Sequence, residues 1–288
     1  MQERIMALPE GSTIRADIHT HTLYSDGVHS PEALVKKAAG AGIGILAVTD
    51  HDSMEAYEET IEAGKTHGVL ILSGVELSAT LGSKDVHILG YNVDPFHAGF
   101  RQRLAFFRQE RQRRAEKIVH KLNTLDVPLT LDHVLEQAGQ APLSRPHVAK
   151  AMKAAGFTRT YMQAFREYIA DGGPAYVARY YVTPRDIIEL IAEAGGVSIL
   201  AHPSNYFTEN ELKTLIQAGL DGIETVHPSH DRERRQFFEG IASAYFLLQG
   251  GGSDYHGGER EDDVHFGTFT ISTEMVKAIV LRSTLQQQ

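Results

Sequence analysis

Six places along this chain put a histidine or carboxylate just after a short apolar run. They are Asp17-Ile18-His19-Thr20-His21, Asp50-His51, Glu76, His87, His202 and Asp254-Tyr255-His256. Imidazole and carboxylate together ligate divalent metals, so their recurrence points to a polynuclear metal site at the ends of parallel strands, and hence to an enzyme. In the first segment the residues at i, i+2 and i+4 share one face of an extended chain, which lets both imidazoles converge on one ion. Asp26 follows in the turn Ser25-Asp26-Gly27. Residues 43–48 run into Thr49-Asp50-His51-Asp52 and place polar groups at a strand's C-terminal end, where α/β barrels gather their active sites. There His51 is a candidate ligand, and Asp52 or Ser53 a cap for the next helix. Glu76 is flanked by apolar residues, and a carboxylate in that setting must be paired, metal-bound or exposed. Each pattern alone has an ordinary explanation, such as a polar surface stripe, a helix cap or a packed strand histidine. The conjunction of six carries the reading.

The elements that must position these groups alternate. Strand-like runs lie at 43–48, 69–72, 87–93, 197–201, 222–226 and 245–249, several rich in Val and Ile. Helical patterns lie between many of them, at 31–41, 53–67, 183–194 and 210–218. Ser30 with Pro31 opens the first of these and Gly40 with Gly42 closes it. Strand, helix, strand predicts a parallel sheet. From about residue 94 to 181 the alternation stops, and helices are predicted at 101–125, 131–138, 145–155 and 160–169. Gly250–Gly252 predicts a tight turn that aims Asp254 and His256, and the tail 286–288 predicts disorder.

Composition bounds the rest. The 288 residues are 42% hydrophobic and 23% charged, enough for a buried core and ordinary for a soluble chain. With no cysteine there is no thiolate ligand and no disulfide framework. No stretch approaches the roughly 20 apolar residues of a membrane span, which together suggest a cytoplasmic protein without a membrane partner. A net charge of −9 argues against a long nonspecific nucleic-acid surface, such as one for a DNA duplex, but not against a small phosphorylated ligand. Of the 15 histidines, His29, His67, His97, His120, His133 and His265 read as surface decoration. Gly40-Ala41-Gly42-Ile43-Gly44 follows a helix instead of opening one, so it is no dinucleotide fingerprint, and neither a phosphate-binding P-loop nor a Gly-x-Ser-x-Gly elbow is present.

The set Asp17-x-His19-x-His21, Asp26-Gly27, Thr49-Asp50-His51-Asp52, Gly74-Val75-Glu76, His87, Ala201-His202-Pro203 and Ser253-Asp254-x-His256 covers nearly the whole chain in order. It resembles the PHP (polymerase and histidinol phosphatase) family of metallophosphoesterases. The helical middle and Leu143-Ser144-Arg145-Pro146-His147 resemble its stand-alone bacterial branch, which includes TrpH/YciV-like proteins, nucleoside 3′,5′-bisphosphate phosphatases and the exoribonuclease RNase AM. The resemblance implies an α/β fold: a distorted (β/α)7 barrel of residues 13–95 and 182–285, with a helical subdomain inserted at 96–181 over the active site. It implies two to three divalent ions, Mn foremost, with Fe or Zn acceptable to the same donors. His19, His21, Glu76 and Asp254 would hold the first, Glu76, His87 and His202 the second, and Asp26, His51 and His256 the third, with Asp17 and Asp50 behind them.

The expected chemistry is hydrolysis of nucleoside 3′,5′-bisphosphates or 5′-phosphorylated short RNA by a metal-activated hydroxide attacking phosphorus. Arg145 is the expected phosphate grip, and His147 the donor to the leaving oxygen. Arg111 and Arg114 are i, i+3 neighbours that read first as a solvated basic stripe and second as holders of another phosphate or an RNA 5′ end. No obligate protein partner is expected. Alternatives are a histidinol-phosphate or cyclic-phosphate hydrolase, a C–N amidohydrolase, and a noncatalytic PHP module. Glu224, His227 and His230 follow a strand; their roles stay open, with Glu224 a candidate partner of a ligand.

Overall fold

The computed structural model describes residues 2–287. In chain order its strands are β1 (Arg15–Asp17), β2 (Ile43–Leu46), β3 (Leu70–Ile71), β4 (Gly74–Leu81), β5 (Lys84–Tyr91), β6 (Val197–Leu200), β7 (Gly222–Val226), β8 (Leu248–Gly251) and β9 (Ile271–Ser272). The helices are α1 (Gln2–Met6), α2 (Pro31–Gly40), α3 (Tyr57–His67), α4 (Ala98–Asn123), α5 (Leu131–Ala138), α6 (Arg145–Ala154), α7 (Tyr161–Ala164), α8 (Pro184–Glu193), α9 (Glu209–Gln217), α10 (Arg232–Ala244) and α11 (Thr273–Gln286). A π-helical turn, Phe165–Ile169, continues α7. Local chemistry sets several starts. Ser30 accepts from the Ala33 N–H with Pro31 at the first helical position, and Thr183 with Asp186 forms a reciprocal capping box.

The result is α/β, and its strands divide into two sheets with the orders β3-β2-β1-β9 and β4-β5-β6-β7-β8. The sheets meet through two isolated parallel bridges, Thr20 to Tyr255 and His51 to Glu76. Both seams fall among the ligand candidates. The expected parallel sheet is only partly found, because β4–β5, β5–β6 and β1–β9 are antiparallel. A two-residue connection between β4 and β5 forces that hairpin, since a parallel crossover needs a dozen or more residues. Glu76 and His87 therefore do not stand beyond strand ends. They lie within β4 and β5, where Ser78 pairs with His87 and Glu76 with Leu89, so the two ligand candidates are diagonal neighbours on one face.

Other boundaries moved for local reasons. Residues 245–247 close α10 instead of opening a strand, with Phe246 at φ +55. Gly250 and Gly251 belong to β8, not to a turn. The tail is partly ordered: α11 reaches Gln286, whose amide donates to Asp221, and Gln287 donates to the Gly195 carbonyl. Gln288 lies outside the described residues. Two of the histidines read as surface decoration have capping roles, His97 at α4 and His133 at α5.

The apolar core follows the sheets. Val75, Leu77, Ile88, Ile187, Ile191 and Leu200 pack one layer, and Ala16, Ile18, Ile45, Val197 and Ile279 pack another. A separate cluster of Ile118, Leu122, Val134, Val148, Met152 and Ile169 joins the helices between β5 and β6. Helix α4 spans both, because Phe100 and Phe107 near its start belong to the sheet-side core.

Gly252 shows how tightly the seam is built. A Cβ there would lie 2.6 Å from Asp17 Oδ1 and 2.6 Å from the His19 nitrogen. Neither neighbour can yield, since one is backbone and the other a buried carboxylate. Gly252→Ala should therefore cost about 1–3 kcal/mol through overpacking, read as a fall in the urea midpoint. It should also lower metal retention, because the strain falls on the His19 backbone.

Candidate metal centre

The two seams bring all nine expected ligands together: His19, His21, Asp26, His51, Glu76, His87, His202, Asp254 and His256 all fall in clusters whose ligand atoms lie within 4.8 Å of one another. Glu76 is the hub. Its Oε2 lies 3.5 Å from His19 Nε2, 3.2 Å from His21 Nε2 and 3.0 Å from His51 Nδ1. Its Oε1 lies 2.8 Å from His87 Nδ1 and 3.0 Å from His202 Nε2. Asp254 Oδ1 is 3.3 Å from the Nε2 atoms of both His19 and His21, and Asp26 Oδ1 is 3.1 Å from His256 Nε2. The grouping differs in detail from the one the family resemblance implied. His21 also joins Asp26, His51 and His256, and Asp254 groups with His19 and His202. His202 and Asp254 sit at φ +30 and +51, a strained choice for non-glycine residues that aims their side chains inward.

Electrostatics makes this cluster incomplete without a cation. Burial opposes ionisation of Glu76, Asp26 and Asp254, yet surrounding imidazoles, with Arg260 for Asp26, hold all three well below the usual carboxylate range. Burial likewise opposes charge on His21, but the Asp254 and Glu76 carboxylates outweigh it and raise the imidazole to about 9. His51 and His256 are driven down, chiefly by burial. Six buried atoms facing this interior, His19 Nε2, His21 Nε2, His51 Nδ1, His256 Nε2, Glu76 Oε2 and Asp26 Oδ1, have no hydrogen-bond partner. Buried polar atoms are rarely left so, and a ring of them built from borderline and hard donors suits divalent metal. The donor set fits the ions that the sequence calls for.

A second layer fixes these ligands. Asp17 Oδ1 accepts from the backbone nitrogens of His19 and Ser253, and burial pushes its carboxyl up to about 7. Asp50 accepts from Thr22 N, Thr22 Oγ1 and Ser25 Oγ, holding the turn that carries Asp26. Glu224, on β7 and wholly buried, answers one open question. Its Oε1 lies 3.0 Å from His19 Nδ1, and its Oε2 accepts from the His202 backbone nitrogen at 2.6 Å. Accepting the hydrogen bond from Nδ1–H leaves the His19 Nε2 lone pair directed at the cluster. His227 Nδ1 accepts from Ser229 N at 3.0 Å, and its Nε2 faces Asp254 Oδ2 at 3.6 Å, beyond hydrogen-bond reach. His230 accepts from Ser204 N and ties down the segment after His202; burial holds its imidazole down at about 4.

A cavity of about 1180 Å³ opens over the cluster and is lined by Asp26, His51, His87 and His202 together with Arg111, Arg114, Arg145 and Arg179, the last of whose Nη2 comes within 3.5 Å of His87 Nε2. Arg179 grips Asp85 through Nε and Nη2, both at 3.1 Å, and Arg145 pairs with Asp171 and Asp85. Arg111 is bound to Asp52 at 2.6 Å, so it fastens α4 to the residue beside His51. Arg114 donates to the Val177 carbonyl, but its Nη2 is buried without a partner; burial and the nearby Arg179 and Arg145 push the guanidinium down to about 9. His147 caps the start of α6. Its ring is 2% exposed and its Nδ1 accepts from Ser144 N in a capping box, outside the cavity lining, while burial drives it down to about 4. Arg179 and Arg260 were missed in the sequence, where single arginines in loops carry no periodic signal.

A PHP domain profile matches residues 17–122. The chain is 32% identical to a 5′-3′ exoribonuclease of Haemophilus influenzae over 85% of its own length and 90% of that protein. It is 30% identical to a 3′,5′-nucleoside bisphosphate phosphatase of Chromobacterium violaceum over 86% and 90%. A Bifidobacterium adolescentis structure described as a candidate metal-dependent phosphoesterase superposes with TM-score 0.86 at 32% identity, covering 95% of this chain and 98% of that one. A Chromobacterium violaceum amidohydrolase structure with bound sulfate and no metal gives TM-score 0.80 at 28% identity, covering 89% and 91%. With the ligand set assembled in the family's order and relatives matched over nine-tenths of their length, the chain belongs to the PHP family of metal-dependent phosphoesterases.

Proposed function

We propose that this protein hydrolyses phosphoesters of nucleoside 3′,5′-bisphosphates and of short 5′-phosphorylated RNA at two to three divalent ions, Mn foremost, in the cytoplasm. The observation that carries this reading is one cavity, opening on the metal-ligating cluster, that metal-ligating side chains and guanidinium groups line together. The substrate class is drawn from the relatives named as a bisphosphate phosphatase and an exoribonuclease. We read the two bridged sheets as the family's distorted (β/α)7 barrel, and residues 96–181 as a cap over its metal face. His19, His21, Glu76 and Asp254, then Glu76, His87 and His202, then Asp26, His51 and His256 would hold the ions. Bound there, they would supply a hydroxide at neutral pH and polarise the phosphoryl group.

The chain's own residues do the rest. Glu224 keeps the His19 tautomer, Asp17 and Asp50 hold the ligand-bearing backbone, and the cap limits access of bulk water. Arg145, Arg114 and Arg179 bind a second phosphate away from the scissile one, where a planar fork matches phosphate oxygens. Arg111 chiefly anchors the cap through Asp52. His147, neutral and enclosed, fixes the start of α6 and through it Arg145, leaving proton transfer to other groups. A neutral amide substrate would leave Arg114 buried with an unpaired nitrogen, whereas a phosphate dianion answers it. That asymmetry favours phosphoester over C–N hydrolysis.

Three outcomes are expected. Mn-loaded protein should release phosphate from adenosine 3′,5′-bisphosphate or mononucleotide from 5′-phosphorylated RNA, and His19→Ala should lose more than about 100-fold in kcat/KM; turnover of neither substrate by metal-loaded wild type would sink the assignment. Because His21 titrates near 9 in the absence of metal, ion binding at neutral pH must displace its proton. Mn affinity should therefore climb as pH rises from 6 to 9, with proton release read by calorimetry in buffers of different ionisation enthalpy; a flat profile would count against His21 as a ligand. Inorganic phosphate should raise the melting temperature of wild type more than that of Arg114→Met, a 100-fold excess over Kd being worth about 2.7 kcal/mol.

A further inference from the structure

The chain after His256 turns sharply. Gly257 and Gly258 take φ of +73 and +65, a short 3-10 turn spans Gly258–Arg260, and Glu261 is left-handed at φ +55. Asp262, buried beneath this loop, pins it: Oδ2 accepts from His256 N at 2.7 Å and Oδ1 from Gly257 N at 2.8 Å. Two charge-assisted bonds to successive backbone nitrogens favour one loop conformation.

That conformation brings Arg260 to the cavity wall, where its Nη2 donates to Asp26 Oδ2 at 2.6 Å. Asp26 Oδ1 meanwhile faces His256 Nε2 at 3.1 Å and His51 Nε2 at 3.8 Å. The two oxygens thus divide their duties, one to the histidine-lined metal position and one to the guanidinium. Among the described residues Asp26 is the one carboxylate that pairs with Arg260, and it shares its charge with two imidazoles. A guanidinium offers five N–H donors in a planar fork; Nη2 goes to Asp26 and Nη1 lies 3.1 Å from His256 Nδ1, which leaves the remaining donors for the cavity. Arg145 and Arg179 stand with Asp85 on the His87 side, whereas Arg260 stands at the Asp26 end.

We propose that Arg260 is a catalytic residue: its guanidinium contacts a nonbridging oxygen of the phosphoryl group under attack, and Asp26 holds it in place for that contact. The proposal rests on the phosphoesterase reading above. It differs from a role confined to orienting Asp26, and the two separate experimentally. Full-length wild type, Arg260→Met and Arg260→Lys would be loaded with Mn, assayed for metal content by mass spectrometry, titrated with inorganic phosphate by calorimetry, and tested for hydrolysis of adenosine 3′,5′-bisphosphate. Arg260→Met should keep the wild-type metal content, weaken phosphate binding about tenfold or more, and lower kcat/KM about 100-fold, the scale of losing one preorganised donor; Arg260→Lys should recover part of both. Unchanged phosphate affinity in Arg260→Met, or a loss that only tracks a missing metal equivalent, overturns the proposal and leaves Arg260 as support for Asp26. Wild type that binds phosphate but hydrolyses nothing counts instead against the proposed function, and the phosphate comparison between variants still decides on Arg260.

Discussion

Three carboxylates, two of them withdrawn from solvent, held charged among seven imidazoles are the constraint on which the rest of this structure depends. Glu76 and Asp26 are essentially withdrawn from solvent, and an ionised carboxylate in that position is tolerable only with partners around it. Imidazoles from six chain segments supply those partners here. Removing one removes compensation for charges that stay behind, so the cluster resists piecemeal change. The same logic runs outward, since Glu224 compensates His19 and Ser253 and His19 backbone nitrogens compensate Asp17.

The division into two sheets follows from that demand. A continuous ladder across both seams would commit the backbone near residues 20, 51, 76 and 255 to regular pairing. A single bridge at each seam lets the chain bend enough for alternate residues to point into one space. Left-handed backbone at His202 and Asp254 serves the same end, and the surrounding sheet and helices must hold the strain. At Gly252 the backbones approach so closely that a side chain has no room.

Much of this was legible in the sequence, and the reasons are local. His19, His21, His51, His202, Asp254 and His256 announce themselves because each follows an apolar strand pattern with a polar group that has no reason to be there otherwise. The positions of α2 and α8 follow from Ser30-Pro31 and Thr183-Pro184, whose capping chemistry operates within four residues. What stayed hidden depends on contacts distant in the chain. The antiparallel hairpin of β4 and β5 was read as part of a parallel alternation because an apolar strand looks the same in either direction. His147 reads as an active-site donor beside Arg145, and its spacing from Ser144 is also that of a capping box, a second role visible only once the start of α6 is folded. Arg179 and Arg260 gain meaning only from Asp85 and Asp26, 94 and 234 residues away.

The charge lining the cavity explains how the family's chemistry suits a chain of formal net charge −9, a value that leaves room for a small phosphorylated ligand. The metal-ligating cluster carries Glu76, Asp26 and Asp254, whose charge bound divalent cations would offset. The arginines that line the same cavity are cationic already, and Asp85 and Asp171 answer only part of their charge. Burying Arg114 with an unpartnered nitrogen is a standing cost to the folded state, of the kind retained where a ligand supplies the missing partner. The cavity is thus electrostatically incomplete in two ways: the ligand cluster suits cations, and Arg114 suits an anion. A phosphorylated ligand in contact with bound ions and guanidinium groups would complete both at once, so the two demands are complementary.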